Sequence, residues 1–282
     1  MTVSETLQQE LTTTAEESPG AVVSVSLARV RDGATLFAAN PDTLHYAASS
    51  LKLPLVTAAY RQAERGVLDL QAPIRVHYQF GSRVGGTFSV EEVDDSDPEV
   101  WAQLGHEVTL EWLCRRTIVR SSNLATNLVI EAGGFDAVSE VLQDAGADGV
   151  TVVRKIGDYV ADDQEFRNRI TSAGLTTMLL ALARHTVASA PVCEAVLEVL
   201  AANEIDTDVR GGLPANTYVA HKNGWVTGIV HDTALVRPDD AEAFVLTVAT
   251  TTDWEEERAH GFIRRIAGLV WDERASLDAE QA

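Results

Sequence analysis

Ser49-Ser50-Leu51-Lys52 sets a hydroxyl and a primary amine three residues apart at the head of an apolar helical pattern. That spacing puts both groups on one helix face. An amine kept dry beside another cation gives up its proton more readily and can then take one from the hydroxyl, while a helix N-terminus favours the developing negative charge. Arginine cannot do this, because it stays protonated in proteins. The chain is unusual in this respect: of its 22 basic residues, only Lys52, Lys155 and Lys222 are lysine. Lys222 opens Lys222-Asn223-Gly224 after a short apolar strand, and a third group, Ser121-Ser122-Asn123, falls between two helical segments. Taken singly, the three have ordinary readings as an N-cap, a second cap and a strand-end turn. Their order and spacing along the chain carry more than any one of them alone.

The elements that would position these groups follow from periodicity. Residues 21–30 alternate and are rich in valine, which predicts a half-buried strand, and a turn at 31–33 returns the chain as a second strand over 34–40. Helical spacing runs from 49 toward 70 and closes near Gly66. Residues 71–107 read as irregular, with the acidic stretch 91–99 as a solvated loop. Helices are predicted over 108–120, 123–132, 136–143, 171–185 and 192–203, with a polar segment over 158–169. Three antiparallel strands at 218–221, 228–237 and 242–251 precede a closing amphipathic helix over 254–273. Strands from both chain ends can join one sheet, with helices inserted between them, and a cleft between two such lobes is a favoured place for a site.

Ser-x-x-Lys at 49–52, Ser-x-Asn at 121–123 and Lys-x-Gly at 222–224 resemble the class A β-lactamase and penicillin-binding-protein superfamily over nearly the whole chain. The resemblance implies an α/β (α+β) fold: an antiparallel sheet flanked by helices plus an all-helical lobe, with the site between. One domain is expected over 1–282, its α/β lobe at about 1–45 and 186–282 and its helical lobe at about 46–185. By resemblance, Ser49 is the acylated nucleophile and Lys52 its proton partner. Ser121 relays a proton to the leaving group, and Lys222 polarises Ser121 and attracts a substrate carboxylate. Asn123 holds a substrate amide, and Asn223, Gly224 and Trp225 complete the substrate-binding strand. The backbone N–H groups of Ser49 and Trp225 form the implied oxyanion hole. Asn127 resembles an asparagine that ties the site to a neighbouring loop.

Three departures from the superfamily pattern bear on turnover. Ser122 stands where aspartate is common, and Asn223 replaces a threonine or serine hydroxyl. The loop 154–169 has no Glu-x-x-x-Asn to hold a deacylating water; its carboxylates are Asp158, Asp162, Asp163 and Glu165. Acylation is therefore expected, with slow release of the acyl group. Cys114 occupies a place where some relatives carry half of a disulfide, but the partner position here is Val56, and Cys114 is expected to be a small buried hydrophobe.

Composition narrows the rest. The net charge of −20 repels phosphate backbones and anionic membrane surfaces, so neither nucleic acid nor membrane is an expected partner. The first twenty residues lack a basic and apolar leader, and two cysteines make no disulfide framework, which together predict a cytoplasmic protein. The seven histidines show no metal-ligand spacing, and His221 and His231 are assigned to packing or hydrogen bonding. No cofactor is implied, because Ser–Lys chemistry needs none. The expected partner is a small-molecule amide or ester. β-Lactam hydrolysis is the most direct expectation; the alternatives are an intracellular esterase or amidase on another metabolite, and a binding protein that keeps the cleft without turnover. A cell-wall transpeptidase or carboxypeptidase fits less well, because no leader or anchor is visible.

Overall fold

The computed structural model describes residues 2–278. Helix α1 (Val3–Glu17) leads into β1 (Val22–Arg29), β2 (Thr35–Ala39) and β3 (His45–Tyr46). A 3-10 turn, Ala48–Leu51, runs directly into α2 (Lys52–Glu64). Short strands β4 (Pro73–Arg75), β5 (Gln79–Gly81) and β6 (Thr87–Ser89) precede α3 (Pro98–Trp101) and β7 (Glu107–Thr109). The helical part continues with α4 (Leu110–Val119), α5 (Asn123–Gly133), α6 (Phe135–Ala145), α7 (Tyr159–Asp163), strand β8 (Arg169–Ile170), α8 (Ser172–Ala183) and α9 (Ala190–Ala201). The chain closes with β9 (Tyr218–Val226), β10 (Ile229–Arg237), β11 (Phe244–Thr251) and α10 (Glu256–Asp272).

The main sheet is antiparallel throughout, in the order β2-β1-β11-β10-β9. Both chain ends therefore meet in it, as the sequence predicts. The half-buried expectation for β1 needs correction, because every residue from Val23 to Arg29 is buried. Its alternation separates two covered faces. Val23, Val25 and Leu27 join the core beneath α1 and α10. Ser24 and Ser26 face the other way, where Ser26 Oγ meets Ser172 Oγ of α8 at 2.8 Å. Small hydroxyls on that face let α8 lie close against the sheet.

Helix α1 is an element the sequence reading passed over. Its signal is present: Thr2 and Glu5 form a capping box, and Val3 and Leu7, one turn apart, are fully buried. The stretch 71–107 is also more ordered than expected, with β4 paired to β7 and β5 to β6. The helical pattern from 49 ends at Glu64, and residues 65–70 are turn.

Helix α2 is the post on which the site stands. Its residues Lys52 to Arg61 are all buried, enclosed by α4, α5, α6 and α9. Replacing one fully buried leucine of such a helix by alanine costs about 2–5 kcal/mol. The side chains at its first turn are thus held by dense packing.

Candidate active site

Ser49 lies on the 3-10 turn that feeds α2, and Lys52 is the first residue of that helix. The amine Nζ sits 2.9 Å from Ser49 Oγ, 3.1 Å from Ser121 Oγ, 2.6 Å from the Ser121 carbonyl and 2.9 Å from Asn123 Oδ1. The structure therefore brings the first two motifs together around one nitrogen. Lys52 is fully buried. Burial, aided by the nearby Lys222 charge and opposed by Asp95, holds its pKa well below the ordinary lysine value. A neutral Nζ with a free lone pair can accept the Ser49 proton.

The second motif is fixed from outside. Ser122 Oγ accepts from Ala125 N at 3.0 Å and caps α5. Asp95 Oδ2 accepts from Ser122 Oγ at 3.1 Å and from Leu124 N at 2.7 Å, and the Asp94 carbonyl accepts from Asn123 Nδ2 at 2.7 Å. Asp97, fully buried, pairs with Arg116. The acidic stretch 91–99 was expected to be a solvated loop; in its second half it is a clamp on the Ser121–Asn123 junction. Ser122 itself lacks a carboxylate, but Asp95 brings one to it. The clamp holds Ser121 at φ 57°, a left-handed conformation that a serine adopts only under constraint, and Ala48 beside Ser49 has φ 44°. Such strain collects where surroundings over-determine a functional side chain.

The third motif lies on the edge strand β9. A Cβ built on Gly224 would sit 2.5 Å from Ser49 N and 2.8 Å from Ser50 N, so only glycine lets the strand approach the turn this closely. Gly224→Ala must separate β9 from the turn and, if the Ser49 and Trp225 N–H groups form the expected oxyanion hole, pull the two apart. We expect acylation to fall by about 10²–10³-fold, the scale of losing one oxyanion donor. Stopped-time labelling of a folded variant checks this, and an unchanged rate would show that the close approach is not needed.

Lys222 and Asn223, expected to polarise Ser121 and to contact substrate, make their hydrogen bonds to protein groups. Lys222 is fully buried and donates to the Asn223 carbonyl at 2.7 Å and to Asn223 Oδ1 at 3.3 Å. Burial, opposed by Asp232 and Asp208, lowers its pKa to about 7. Asn223 turns its amide inward, donating to Asp208 Oδ2 at 2.9 Å and to the Ile205 carbonyl at 3.3 Å. Asp208 in turn meets His260 Nδ1 of α10 at 2.6 Å. The physical reason is that Asp208 is itself fully buried and needs donors, which asparagine supplies. His221 pairs with Asp232, and His231 donates from Nε2 to the Tyr46 carbonyl and accepts at Nδ1 from Thr250 N, both as buried hydrogen-bonding residues.

The cleft in front of Ser49 has a volume of about 250 Å³ and is lined by Tyr46, Ser121, Asn123, Ile156, Tyr159 and Trp225, among others. Asn127 ties its far wall, donating to the Ile156 carbonyl and accepting from Ile156 N, both at 2.8 Å. Of the four loop carboxylates, Asp158 is buried as the cap of α7 and also accepts from Ser82 Oγ and Arg83 N, each at 2.8 Å. Asp162 pairs with Arg154 at 3.0 Å, while Asp163 and Glu165 are exposed. None of the four is among the cleft-lining residues. Cys114 and Cys193 are both buried and unpaired.

A family model described as the beta-lactamase enzyme family matches residues 6–273. The chain belongs to the beta-lactamase enzyme family. Its fold is that of the class A β-lactamases, and its class is serine hydrolase. A beta-lactamase from Sphaerobacter thermophilus is 24% identical, with a TM-score of 0.81 over 99% of this chain and 98% of that one. A beta-lactamase from Xanthomonas campestris pv. campestris is 18% identical, with a TM-score of 0.81 over 96% and 98%. A point mutant of PBP-A, solved as an acyl-enzyme complex with penicillin G, is 19% identical, with a TM-score of 0.77 over 94% and 95%. No curated protein sequence matches the chain. At these identities the neighbours establish the family's architecture for the chain, and its chemistry must be read from its own residues.

Proposed function

We propose that this family member cleaves β-lactams or related amides and esters through an acyl-enzyme on Ser49, and that it releases the acyl group slowly. The observation that carries the reading is the buried Lys52 amine 2.9 Å from Ser49 Oγ. Lys52 takes the hydroxyl proton as Oγ attacks the carbonyl, and Ser121, 3.1 Å from the same nitrogen, passes a proton to the departing nitrogen or oxygen. The N–H groups of Ser49 and Trp225 receive the oxyanion. The penicillin G acyl-enzyme of a fold neighbour supports β-lactams as acyl donors. Two unpaired buried cysteines support a reducing, cytoplasmic compartment.

Slow release rests on the cleft wall, where Ile156 and Gly157 of the loop stand without a carboxylate. This same observation favours the second reading, an esterase or amidase acting on donors whose acyl-serine yields to water unaided. Intact-protein mass spectrometry after mixing with benzylpenicillin and with a short-chain phenyl ester tests both. An adduct of the opened lactam is expected to form and persist for minutes, with the ester turning over. Absence of any adduct or turnover with either compound overturns the proposal.

The loop carboxylates give a sharper check. Asp158→Asn, Asp162→Asn, Asp163→Asn and Glu165→Gln are each expected to change the rate of adduct loss by less than about threefold, because none of them lines the cleft. A single variant that traps the adduct indefinitely would identify a base on the loop.

A further inference from the structure

The charged residues lining the cleft, among the described residues, are Asp94 and Arg154. Arg154 is committed: its side chain is 1% exposed, pairs with Asp162 at 3.0 Å and donates to Tyr46 Oη at 2.9 Å. Lys52 and Lys222 are fully buried, with their acceptors already within the site, and Asn223 points its amide at Asp208. The Asn123 amide is spent on Asp94 O and Lys52. The wall that would meet a carboxylate beside the scissile carbonyl therefore offers no open cation and no hydroxyl on residue 223. The other charged residue of the lining is Asp94, which is exposed, within a chain whose net charge is −20. Such a field works against an arriving anion.

Part of the cleft lining is apolar. Trp225 and Val226 of β9 and Tyr159 of α7 line the cleft, and Tyr159 is 66% exposed. Val93, 90% exposed, is the chain neighbour of Asp94, and the exposed Val160 follows Tyr159. Singly exposed apolar residues are ordinary, whereas Tyr159, Trp225 and Val226 line one cleft together and give it an apolar patch beside its polar groups.

Resting on the acyl-Ser49 reading, we propose that the cleft selects uncharged, apolar-bodied acyl donors, such as neutral esters, lactones and esterified β-lactams, and disfavours donors with a carboxylate beside the reacting carbonyl. In the ester case Ser49 Oγ bonds to the carbonyl carbon, the ester C–O bond breaks, and the Ser49 proton passes through Lys52 and Ser121 to the leaving oxygen, which departs as the alcohol. Water then cleaves the acyl-serine to a carboxylic acid and restores the hydroxyl. The acid ionises, and the same field that excludes anionic donors helps to expel this product.

Two matched pairs isolate the carboxylate. Benzylpenicillin is compared with its methyl ester by rate of adduct formation, and p-nitrophenyl hemisuccinate with p-nitrophenyl butyrate by kcat/KM, each corrected for its uncatalysed hydrolysis. The neutral member is expected to react at least 10-fold faster in both pairs at low salt. Asp94→Asn is expected to narrow the gap about threefold, as is raised ionic strength. Equal or faster reaction of the anionic members, through Ser49, overturns the proposal and leaves the acyl-enzyme reading standing. Equal adduct formation and turnover by Ser49→Ala overturns that reading instead. No reaction with any of the four compounds overturns both.

Discussion

Ser49→Ala is expected to abolish covalent labelling by a fluorescent penicillin or a fluorophosphonate, leaving less than about one part in a thousand of the wild-type rate. The magnitude follows from chemistry. Labelling requires a bond to Oγ, and Ser121 Oγ, the other hydroxyl on Lys52, is 2% exposed on a strained backbone with its amine partner also bound to Asn123. The fold does not depend on the Ser49 hydroxyl in the same way, because the side chain is partly open to the cleft while α2 below it is densely packed. The variant should therefore melt near the wild-type temperature. Gel fluorescence together with a melting curve decides the matter, and equal labelling of a folded Ser49→Ala protein would remove Ser49 from the chemistry.

Lys52→Arg should lower the acylation rate by at least 10²-fold, the ordinary contribution of a positioned general base. The substitution keeps positive charge but forbids a neutral state at any working pH. The sign of the pH dependence tests the idea directly. Burial holds the Lys52 amine well below its usual value, so the neutral form becomes more populated as pH rises, and wild-type acylation should climb with it. Lys222, lowered to about 7, loses its charge in the neutral range and adds a second inflection there. The arginine variant should lose the limb due to residue 52 and keep the one due to residue 222. Lys52→Met, which removes charge and base together while filling the same buried space, guards against misfolding as the explanation. Normal acylation by the arginine variant would reduce Lys52 to an electrostatic role.

The parts of the site legible in the sequence are those set by short spacings. Ser49 and Lys52 share a helix turn, and Gly224 follows Lys222 on a strand, so their geometry is nearly local. The strand and helix order was legible for a similar reason, since each long element carries its own periodicity. Long-range satisfaction was not. Nothing near Asp95 or Asp97 announces that they reach Leu124 N and Arg116. The inward turn of Asn223 depends on a buried Asp208 fifteen positions away, itself held by His260 of the last helix. Strands of three residues, such as β4 and β7, are too short for alternation to register. Helix α1 differs, because its capping box and its Val3–Leu7 pair are legible in the sequence itself.

Asn127 grips Ile156 by both of that residue's main-chain polar groups and by none of its side-chain atoms. A grip of that kind is indifferent to which residue is held. The loop can therefore exchange the side chain at position 156 without moving the backbone that carries it, and that position already looks into the cleft. Ser49 and Lys52 stand on a different element, the turn into α2, while Asn127 shares α5 with Asn123. On the proposed acyl-enzyme reading, exchange of the side chain at position 156 would alter the wall facing the acyl group while leaving the Ser49–Lys52 pair in place.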